Sequence, residues 1–168
     1  MNGRAWKFGD GVDTDVMAPG LYMKSPIDVL AQHCLEALRP EFAGAVRSGD
    51  VLVAGRNFGI GSSREQAPQV LKALGVQSVV ARSFGGIFHR NAFNLGLLAL
   101  VCDDADRIPD GAAIEVDPKA GKVRLPELDL TLVCEPVPAF LMAMVEDGGL
   151  LPHLKKRLSR ERDPKETA

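Results

Sequence analysis

The amino-acid sequence predicts an α/β domain that has a parallel core sheet and a smaller antiparallel layer. Between residues 50 and 101, short apolar strands alternate with amphipathic helices, an order typical of parallel strands joined by right-handed crossovers. After Asp103 the pattern changes to three short strands, the first two of which are joined by the hairpin sequence Asp117–Gly121. Because no linker or internal repeat divides the chain, we expect residues 1–158 to form one domain and the charged residues 159–168 a disordered tail.

The N-terminal elements follow from turn residues and apolar spacing. Arg4–Phe8 is predicted as a strand that ends at the turn Gly9-Asp10-Gly11. Pro26 suits the first position of a helix, and an apolar stripe at helical spacing continues through residues 27–38. The sequence therefore predicts one long helix after the first strand.

The later elements alternate in type. Val51, Leu52 and Val53 form a continuous apolar run of the kind found in strands buried on both faces, and Gly75 is placed to end the helix that follows. The predicted elements are strand Asp50–Ala54, helix Ala67–Leu74, strand Ser78–Arg82, helix Ile87–Leu95, strands Leu97–Val101, Ala113–Val116, Lys122–Pro126 and Leu130–Cys134, and helices Ala139–Val145 and Leu150–Leu158.

The composition excludes several classes of protein. The chain has 168 residues, of which 46% are hydrophobic, and a formal net charge of −2 with interleaved signs, so it offers no basic face for nucleic acid. No apolar stretch approaches the roughly 20 residues of a membrane span, and the N-terminus lacks the apolar core of a signal peptide. We expect a cytoplasmic protein without a nucleic-acid or membrane partner.

The most informative segment is the glycine-rich run Gly55–Pro68, which joins a predicted strand to a predicted helix. Its glycines permit positive φ and a close approach to the backbone, and Ser62, Ser63 and Arg64 follow the last of them. Since such a joint aims free N–H groups and the helix dipole at a ligand, the segment predicts a small-anion site. It is not a Walker A loop, because it has no lysine, nor a dinucleotide fingerprint, because Arg64 stands where that motif needs glycine.

A simpler interpretation of the same residues is helix capping. Ser62 with Glu65, or Ser63 with Gln66, matches the capping-box pattern. Arg64 favours a ligand instead, because a cation in the first turn opposes the helix dipole and indicates an anionic partner. Both interpretations stay open on the sequence alone.

The segment Asp13-Thr14-Asp15 also has two interpretations. It either forms a local turn in which Thr14 acts as a cap, or lies near the cleft and orders Arg64 or the neighbouring loop. Arg82 comes at the carboxyl end of the following strand, and Asn91 is expected to cap or bridge. Sites in parallel sheets lie at the carboxyl ends of strands, which is also where Ser62 falls.

Four landmarks occur in a characteristic order. They are Gly9–Val16 with Ala18–Ser25, then Gly55–Pro68, Ala81–Ala92 and Asn94–Leu98. In this order and spacing the chain resembles the small subunits of isopropylmalate isomerase and homoaconitase, which are similar to the C-terminal swivelling domain of aconitase. The resemblance covers about residues 8–101, and it implies a three-layer β/β/α swivelling domain.

The resemblance implies a hydro-lyase divided between two polypeptides, assembled as a heterodimer or heterotetramer. A large subunit carries a [4Fe-4S] cluster, and the small subunit closes the site from the other side. By motif position, Ser62 is the expected base that removes a proton from the carbon next to a carboxylate, while Ser63 and Arg64 hold the substrate carboxylate and the serine oxyanion. Tyr22 and Lys24 lie in the substrate-selecting loop. The residues expected to support the site are Gly59, Gly61, Asp13, Asp15 and Arg82.

The resemblance favours isomerisation of 3-isopropylmalate and 2-isopropylmalate in leucine biosynthesis. The small subunits of homoaconitase, citraconate hydratase or dimethylmaleate hydratase are alternatives, since Lys24 stands where isopropylmalate enzymes of the archaeal type often have arginine. Alternatives of another class are a non-catalytic carboxylate-binding module and a structural protein whose serines only cap a helix. Two further departures from the family pattern, Ile60 for cysteine and Gln66 for histidine, leave the position of the base unchanged.

The cysteines bear on where the cluster resides. Cys34, Cys102 and Cys134 are far apart in sequence, form no C-x-x-C pair and stand in apolar surroundings, so they are expected to be small buried hydrophobic residues. The three histidines are equally scattered. We therefore expect no metal or cluster in this chain and a [4Fe-4S] cluster in the partner subunit.

Overall fold

The computed structural model of the chain describes residues 2–162. The helices and strands are β1 Asn2–Lys7, α1 Thr14–Met17, α2 Ile27–Ala31, α3 Phe42–Ala45, β2 Val51–Ala54, α4 Gln66–Ala73, β3 Ser78–Ala81, α5 Gly86–Asn94, β4 Leu98–Val101, β5 Ala113–Asp117, β6 Lys122–Leu125, β7 Leu130–Val133, α6 Ala139–Glu146 and α7 Leu150–Arg162. Short 3₁₀ turns occur at Gly20–Tyr22, Ala105–Arg107 and Pro126–Leu128. Within this part of the chain, no helix has the length and apolar character needed to cross a membrane.

The seven strands form one curled mixed sheet in the order β4-β3-β2-β1-β5-β6-β7. Strands β1 to β4 are parallel, whereas β5 to β7 are antiparallel. Strand β1 joins the two parts, because residues 2–4 pair with β5 and residues 5–7 pair with β2. The predicted α/β fold, with a parallel core and an antiparallel part, is confirmed, and the two parts are continuous through β1.

The sheet curls until its outer strands meet. The backbone N–H of Glu135, just after β7, donates to the carbonyl of Val101 at the end of β4 (2.8 Å). The Cys102 thiol beside it lies 3.6 Å from the carbonyl of Val133. These contacts cover edges that would otherwise present unpaired backbone groups.

The parallel strands form the centre of the core. Every residue of β2 and β3 is buried, as the continuous apolar runs predict. Helix α4 covers these strands with the buried residues Ala67, Val70 and Leu71, and α5 contributes Phe88 and Phe93. The chain order of strand, helix, strand, helix and strand therefore brings the ends of β1, β2 and β3 to one rigid edge of the sheet.

The long helix predicted from Pro26 to Leu38 is wrong in extent. Helix α2 ends at Ala31, and the following residues form turns in which Leu35 takes a left-handed conformation with φ +59°. The Leu35 N–H donates to the carbonyl of Val16 (2.8 Å), and its side chain is fully buried. Most apolar residues of this stripe are buried, as their spacing predicts, but the Leu35 N–H bonds to α1 instead of to a carbonyl of α2.

Two other differences concern short elements and the C-terminus. Helices α1 and α3 were not predicted, since each has only four residues and so lacks a periodic pattern. Helix α7 continues to Arg162 rather than ending at Leu158, so residues 159–162 of the predicted disordered tail are helical. Residues 163–168 lie outside the described residues.

The buried carboxylate of Asp50 ties β1 to the start of β2. It accepts hydrogen bonds from the backbone N–H of Arg4 (3.0 Å), the indole N–H of Trp6 (2.9 Å) and the backbone N–H of Arg47 (2.9 Å). The Trp6 ring in turn packs edge-on against Phe42, with ring centroids 5.3 Å apart. One side chain thus satisfies three donors that would otherwise lack partners.

We expect Asp50→Ala to lower the free energy of unfolding by about 2–4 kcal/mol, because it leaves those donors unsatisfied. Urea denaturation followed by far-UV circular dichroism measures the change. Asp103→Ala, at an exposed carboxylate, is the matched control and should stay within about 0.5 kcal/mol of the wild type. Equal stability of the two variants would contradict this account of Asp50.

Candidate functional site

Three loops meet at the carboxyl edge of the parallel strands. They follow β1, β2 and β3, and backbone hydrogen bonds join them. The N–H of Gly59 donates to the carbonyl of Val12 (2.7 Å), and the N–H of Thr14 donates to that of Ile60 (2.9 Å). On the other side, the N–H of Gly85 donates to the carbonyl of Phe58 (2.8 Å). The loop after β2 is therefore held between its two neighbours.

Glycines make this close approach possible. Gly59 has φ +79°, and a Cβ on it would lie 2.2 Å from Cγ of Phe88, a distance that no side chain tolerates. Gly61 has φ +109°, and its Cβ would lie 3.1 Å from Oγ1 of Thr14. Both conformations belong to the region that glycine adopts without strain. Glycine thus suits the backbone at both positions, while the predicted role of Gly59 and Gly61 in supporting the site stays a prediction.

Ser62 lies beside α1 rather than capping a helix. Its backbone N–H donates to Oγ1 of Thr14 (3.1 Å), and the two hydroxyl oxygens are 3.0 Å apart. Ser62 is exposed, whereas Thr14 is 1% exposed. The hydroxyl of Ser62 therefore rests on a buried polar anchor while facing open space.

The capping interpretation of the two serines is wrong. Helix α4 begins at Gln66, and its cap position is Glu65, whose side chain makes no capping bond. Ser63 is exposed, and its carbonyl accepts a hydrogen bond from the side-chain amide of Asn91 (3.4 Å), so Asn91 bridges as predicted. Arg64 consequently precedes the helix instead of lying in its first turn.

Arg64 is held by α1 and the residue after it. Its guanidinium contacts the carboxylate of Asp15 (2.6 Å) and donates to the carbonyl of Ala18 (3.0 Å). The Arg64 side chain is 26% exposed and that of Asp15 is 64% exposed. A guanidinium presents five N–H donors, and these two contacts leave others for an anion at the open side.

The segment Asp13-Thr14-Asp15 divides into three roles. Asp13, not Thr14 as predicted, caps α1 by accepting the N–H of Val16 (2.9 Å). Thr14 faces Ser62, and Asp15 pairs with Arg64. The sequence analysis did not predict the contact between Thr14 and Ser62. The one feature of the sequence that indicates it is that the two residues follow neighbouring strands, β1 and β2.

Tyr22, Lys24 and Arg82 lie further out. The Tyr22 ring stacks on the imidazole of His33, with centroids 3.5 Å apart and planes 5° apart. Lys24 is exposed, and Arg82 is half-buried with its backbone N–H bonded to the carbonyl of Gly55 (3.0 Å). The structure therefore brings together Ser62, Thr14, Asp15 and Arg64. Within residues 2–162, no hydrogen bond or ion pair joins Tyr22, Lys24 or Arg82 to these four residues.

The cysteines form no cluster site. Cys34 is buried, which raises the pKa of its thiol. Cys102 and Cys134 are far apart in sequence but approach each other where the sheet closes. A hydrogen bond with Cys134 lowers the pKa of the Cys102 thiol, and the same contact raises the pKa of the Cys134 thiol. Over residues 2–162, no group of three or more histidine, cysteine and acidic side chains could hold a metal ion. The described residues therefore do not fit a [4Fe-4S] cluster, which needs three or four protein ligands.

Comparison with known families and proteins gives consistent matches. Residues 41–105 match the aconitase C-terminal domain family, a range that runs from α3 through the loops after β2 and β3 to the residues after β4 and leaves out the loop after β1. The chain is 48% identical over 157 residues to the 3-isopropylmalate dehydratase small subunit of Halothermothrix orenii, covering 92% of this chain and 95% of that protein. It is also 46% identical over 160 residues to the methanogen homoaconitase small subunit of Methanothermobacter thermautotrophicus, covering 94% of this chain and 92% of that protein.

A solved structure matches the whole fold. The crystal structure of 3-isopropylmalate dehydratase from Methanocaldococcus jannaschii superposes with a TM-score of 0.92 at 40% sequence identity. The match covers 97% of this chain and 98% of that chain. The similarity therefore extends through the antiparallel strands and C-terminal helices, beyond the four landmarks recognised in the sequence.

We expect Gly59→Ala to lower the free energy of unfolding by about 2–4 kcal/mol, because it combines a left-handed backbone with overlap on Phe88. Urea denaturation measures the loss. The matched control is Gly44→Ala in α3, where a Cβ meets open space and φ is not positive; there we expect a gain of up to about 1 kcal/mol. A Gly59→Ala variant as stable as the wild type would show that the loop tolerates a side chain.

Proposed function

This chain belongs to the family of 3-isopropylmalate dehydratase small subunits, and we propose that its three-loop edge is one half of the active site of a hydro-lyase. A larger subunit supplies the other half. The assembly is a heterodimer or heterotetramer in which this chain closes over the substrate. The observation that carries the proposal is the arrangement of Ser62 on Thr14 beside Arg64 on Asp15.

The reaction requires a strong base at a site of low water content. Loss of water from a hydroxy dicarboxylate removes a proton from the carbon next to a carboxylate and hydroxide from the adjacent carbon, which leaves a double bond. In this proposal Ser62 takes the proton as its alkoxide. A serine hydroxyl is too weak an acid to ionise readily in water, so the alkoxide needs hydrogen-bond donors and a nearby positive charge. Thr14 contacts the Ser62 hydroxyl and would act as a donor, and Arg64, held by Asp15 next to Thr14, would supply the positive charge.

Arg64 and Ser63 bind the carboxylate in the same proposal. A guanidinium matches a carboxylate by two parallel N–H donors, and Asp15 with the carbonyl of Ala18 sets its orientation. Ser63 is exposed next to it and offers a hydroxyl. Holding the acidic carbon against Ser62 in this way removes much of the entropic cost of proton transfer.

The cofactor belongs to the partner in this proposal. A [4Fe-4S] cluster on the large subunit would act on the leaving hydroxyl group, and this chain contributes the proton-transfer side. Apolar side chains border the three loops and suit a subunit interface: Leu21 is 85% exposed, Ile60 38% and Ile87 43%. Burying them against the large subunit would also exclude water from Ser62.

The substrate that we favour is 3-isopropylmalate, interconverted with 2-isopropylmalate in leucine biosynthesis. It is the substrate named for relatives from Halothermothrix orenii and Archaeoglobus fulgidus. Homoaconitate is the second candidate, because a homoaconitase small subunit is nearly as similar and because the exposed ammonium of Lys24 would suit an additional carboxylate. Reconstitution with the large subunit and an anaerobically rebuilt cluster, followed by absorbance of the unsaturated acid, decides between them.

We expect Ser62→Ala to reduce kcat by on the order of 10³-fold or more in that reconstituted enzyme, because the base is removed. Binding of the large subunit should be unchanged. Ser48→Ala, at an exposed serine in the turn before β2, is the control and should keep full activity. Near-normal turnover by Ser62→Ala would exclude Ser62 as the base.

We expect Arg64→Lys to lower kcat/KM by about 10- to 100-fold, because an ammonium cannot make the paired contact with a carboxylate. Steady-state kinetics on the reconstituted enzyme measures the effect. Arg56→Lys is the matched control, since Arg56 is an exposed arginine of the same loop. If both variants kept the wild-type kcat/KM, Arg64 would not bind the carboxylate.

A further inference from the structure

The buried hydroxyl of Thr14 makes two hydrogen bonds to Ser62. It is the first residue of α1 and is 1% exposed. Its Oγ1 receives the backbone N–H of Ser62 (3.1 Å) and lies 3.0 Å from the Ser62 hydroxyl oxygen. These are the hydrogen bonds of the Thr14 side chain within residues 2–162.

The proton positions follow from counting donors and acceptors. A hydroxyl has one proton to donate and two lone pairs that accept. The Ser62 N–H already occupies one lone pair of Thr14. If the Ser62 hydroxyl also donated to Thr14, the buried Thr14 proton would have no acceptor, which is costly for a buried polar group. If Thr14 donates to Ser62 instead, both hydroxyls are satisfied, because Ser62 is exposed.

We propose that Thr14 is a positioning residue that donates its hydroxyl proton to Oγ of Ser62. The proton of Ser62 then points to the open side of the loop, away from Thr14. When that proton leaves to water before the large subunit covers the loops, the Thr14 hydrogen bond stays on the alkoxide and strengthens, because its acceptor is now charged. The alkoxide next takes the substrate proton and Ser62 is neutral again, while Thr14 keeps its own proton throughout. This inference rests on the proposed role of Ser62 as the base.

The surroundings hold Thr14 in this geometry before any substrate binds. Asp13 caps α1 through the N–H of Val16 (2.9 Å), and the Thr14 N–H is bonded to the carbonyl of Ile60 (2.9 Å). A side chain at position 61 would crowd Thr14, since a Cβ on Gly61 would lie 3.1 Å from the Thr14 Oγ1. A donor fixed in this way stabilises developing charge without reorganising during the reaction.

The test compares Thr14 variants in the complex with the large subunit and its cluster. Thr14→Val keeps the shape but removes the donor, so we expect kcat to fall about 10- to 100-fold with KM little changed. The acidic limb of the pH profile of kcat should move to higher pH, because the alkoxide forms less readily. Thr14→Ser restores the donor and should restore kcat and the profile, a rescue that a packing role alone would not produce.

A double-mutant cycle separates this inference from the proposed function. If Thr14 acts through Ser62, adding Thr14→Val to Ser62→Ala leaves the residual rate unchanged. If Thr14→Val lowered the residual rate of Ser62→Ala by the same factor as it lowers the wild-type rate, the positioning role would be overturned. A wild-type kcat for Thr14→Val together with an inactive Ser62→Ala enzyme would overturn it as well. Normal turnover by Ser62→Ala would instead overturn the role of Ser62 itself. If Thr14→Val fails to fold, as judged by circular dichroism, Thr14→Ala takes its place in the same cycle.

Discussion

The candidate site depends on the backbone hydrogen bonds that join three loops at the carboxyl edge of the sheet. Gly59 donates to the loop after β1, and Gly85 donates to Phe58 from the loop after β3. These bonds continue the parallel pairing beyond the last residues of the strands, so the position of Ser62 is set by the rigid core rather than by a free loop. A base that must meet one carbon of a substrate needs such support, because small displacements cost much of the rate.

Two glycines allow the loop after β2 to pack closely against its neighbours. At Gly59 and Gly61 the chain turns with positive φ and passes within contact distance of Phe88 and Thr14. Gly61 is exposed next to Ser62, so no side chain covers the backbone at that position. Close packing of the loop therefore involves both glycines, whereas the exposed backbone beside Ser62 belongs to Gly61.

Much of this arrangement could be predicted from the sequence. Buried strands show as continuous apolar runs, and the glycines of the segment Gly55–Pro68 indicate its place at a strand end; its affinity for anions stays a prediction. Two predictions from local sequence patterns, a long helix and a pair of helix caps, were wrong because tertiary contacts outweigh those patterns. The apolar stripe ending at Leu38 is no long helix, since Leu35 bonds to Val16. The serines cap no helix, since Ser62 and Arg64 are bonded to α1 and its neighbour Ala18, and a partner 48 positions away in sequence leaves no local pattern.

In the proposed active site, the pairing of Arg64 with Asp15 explains why this chain alone would be insufficient. In the chain alone the Asp15 carboxylate is mostly exposed, and an ion pair in contact with water contributes little energy and is screened by salt. Covering the loops with a second surface lowers the local dielectric and strengthens every charge interaction at Arg64 and Ser62 together. In the roles that we propose, Asp15 then holds the guanidinium in place for a substrate carboxylate, while Thr14 and Arg64 stabilise negative charge on Ser62. Under this proposal, the electrostatic interactions that catalysis needs become large when the large subunit covers the loops, which would couple assembly to activity.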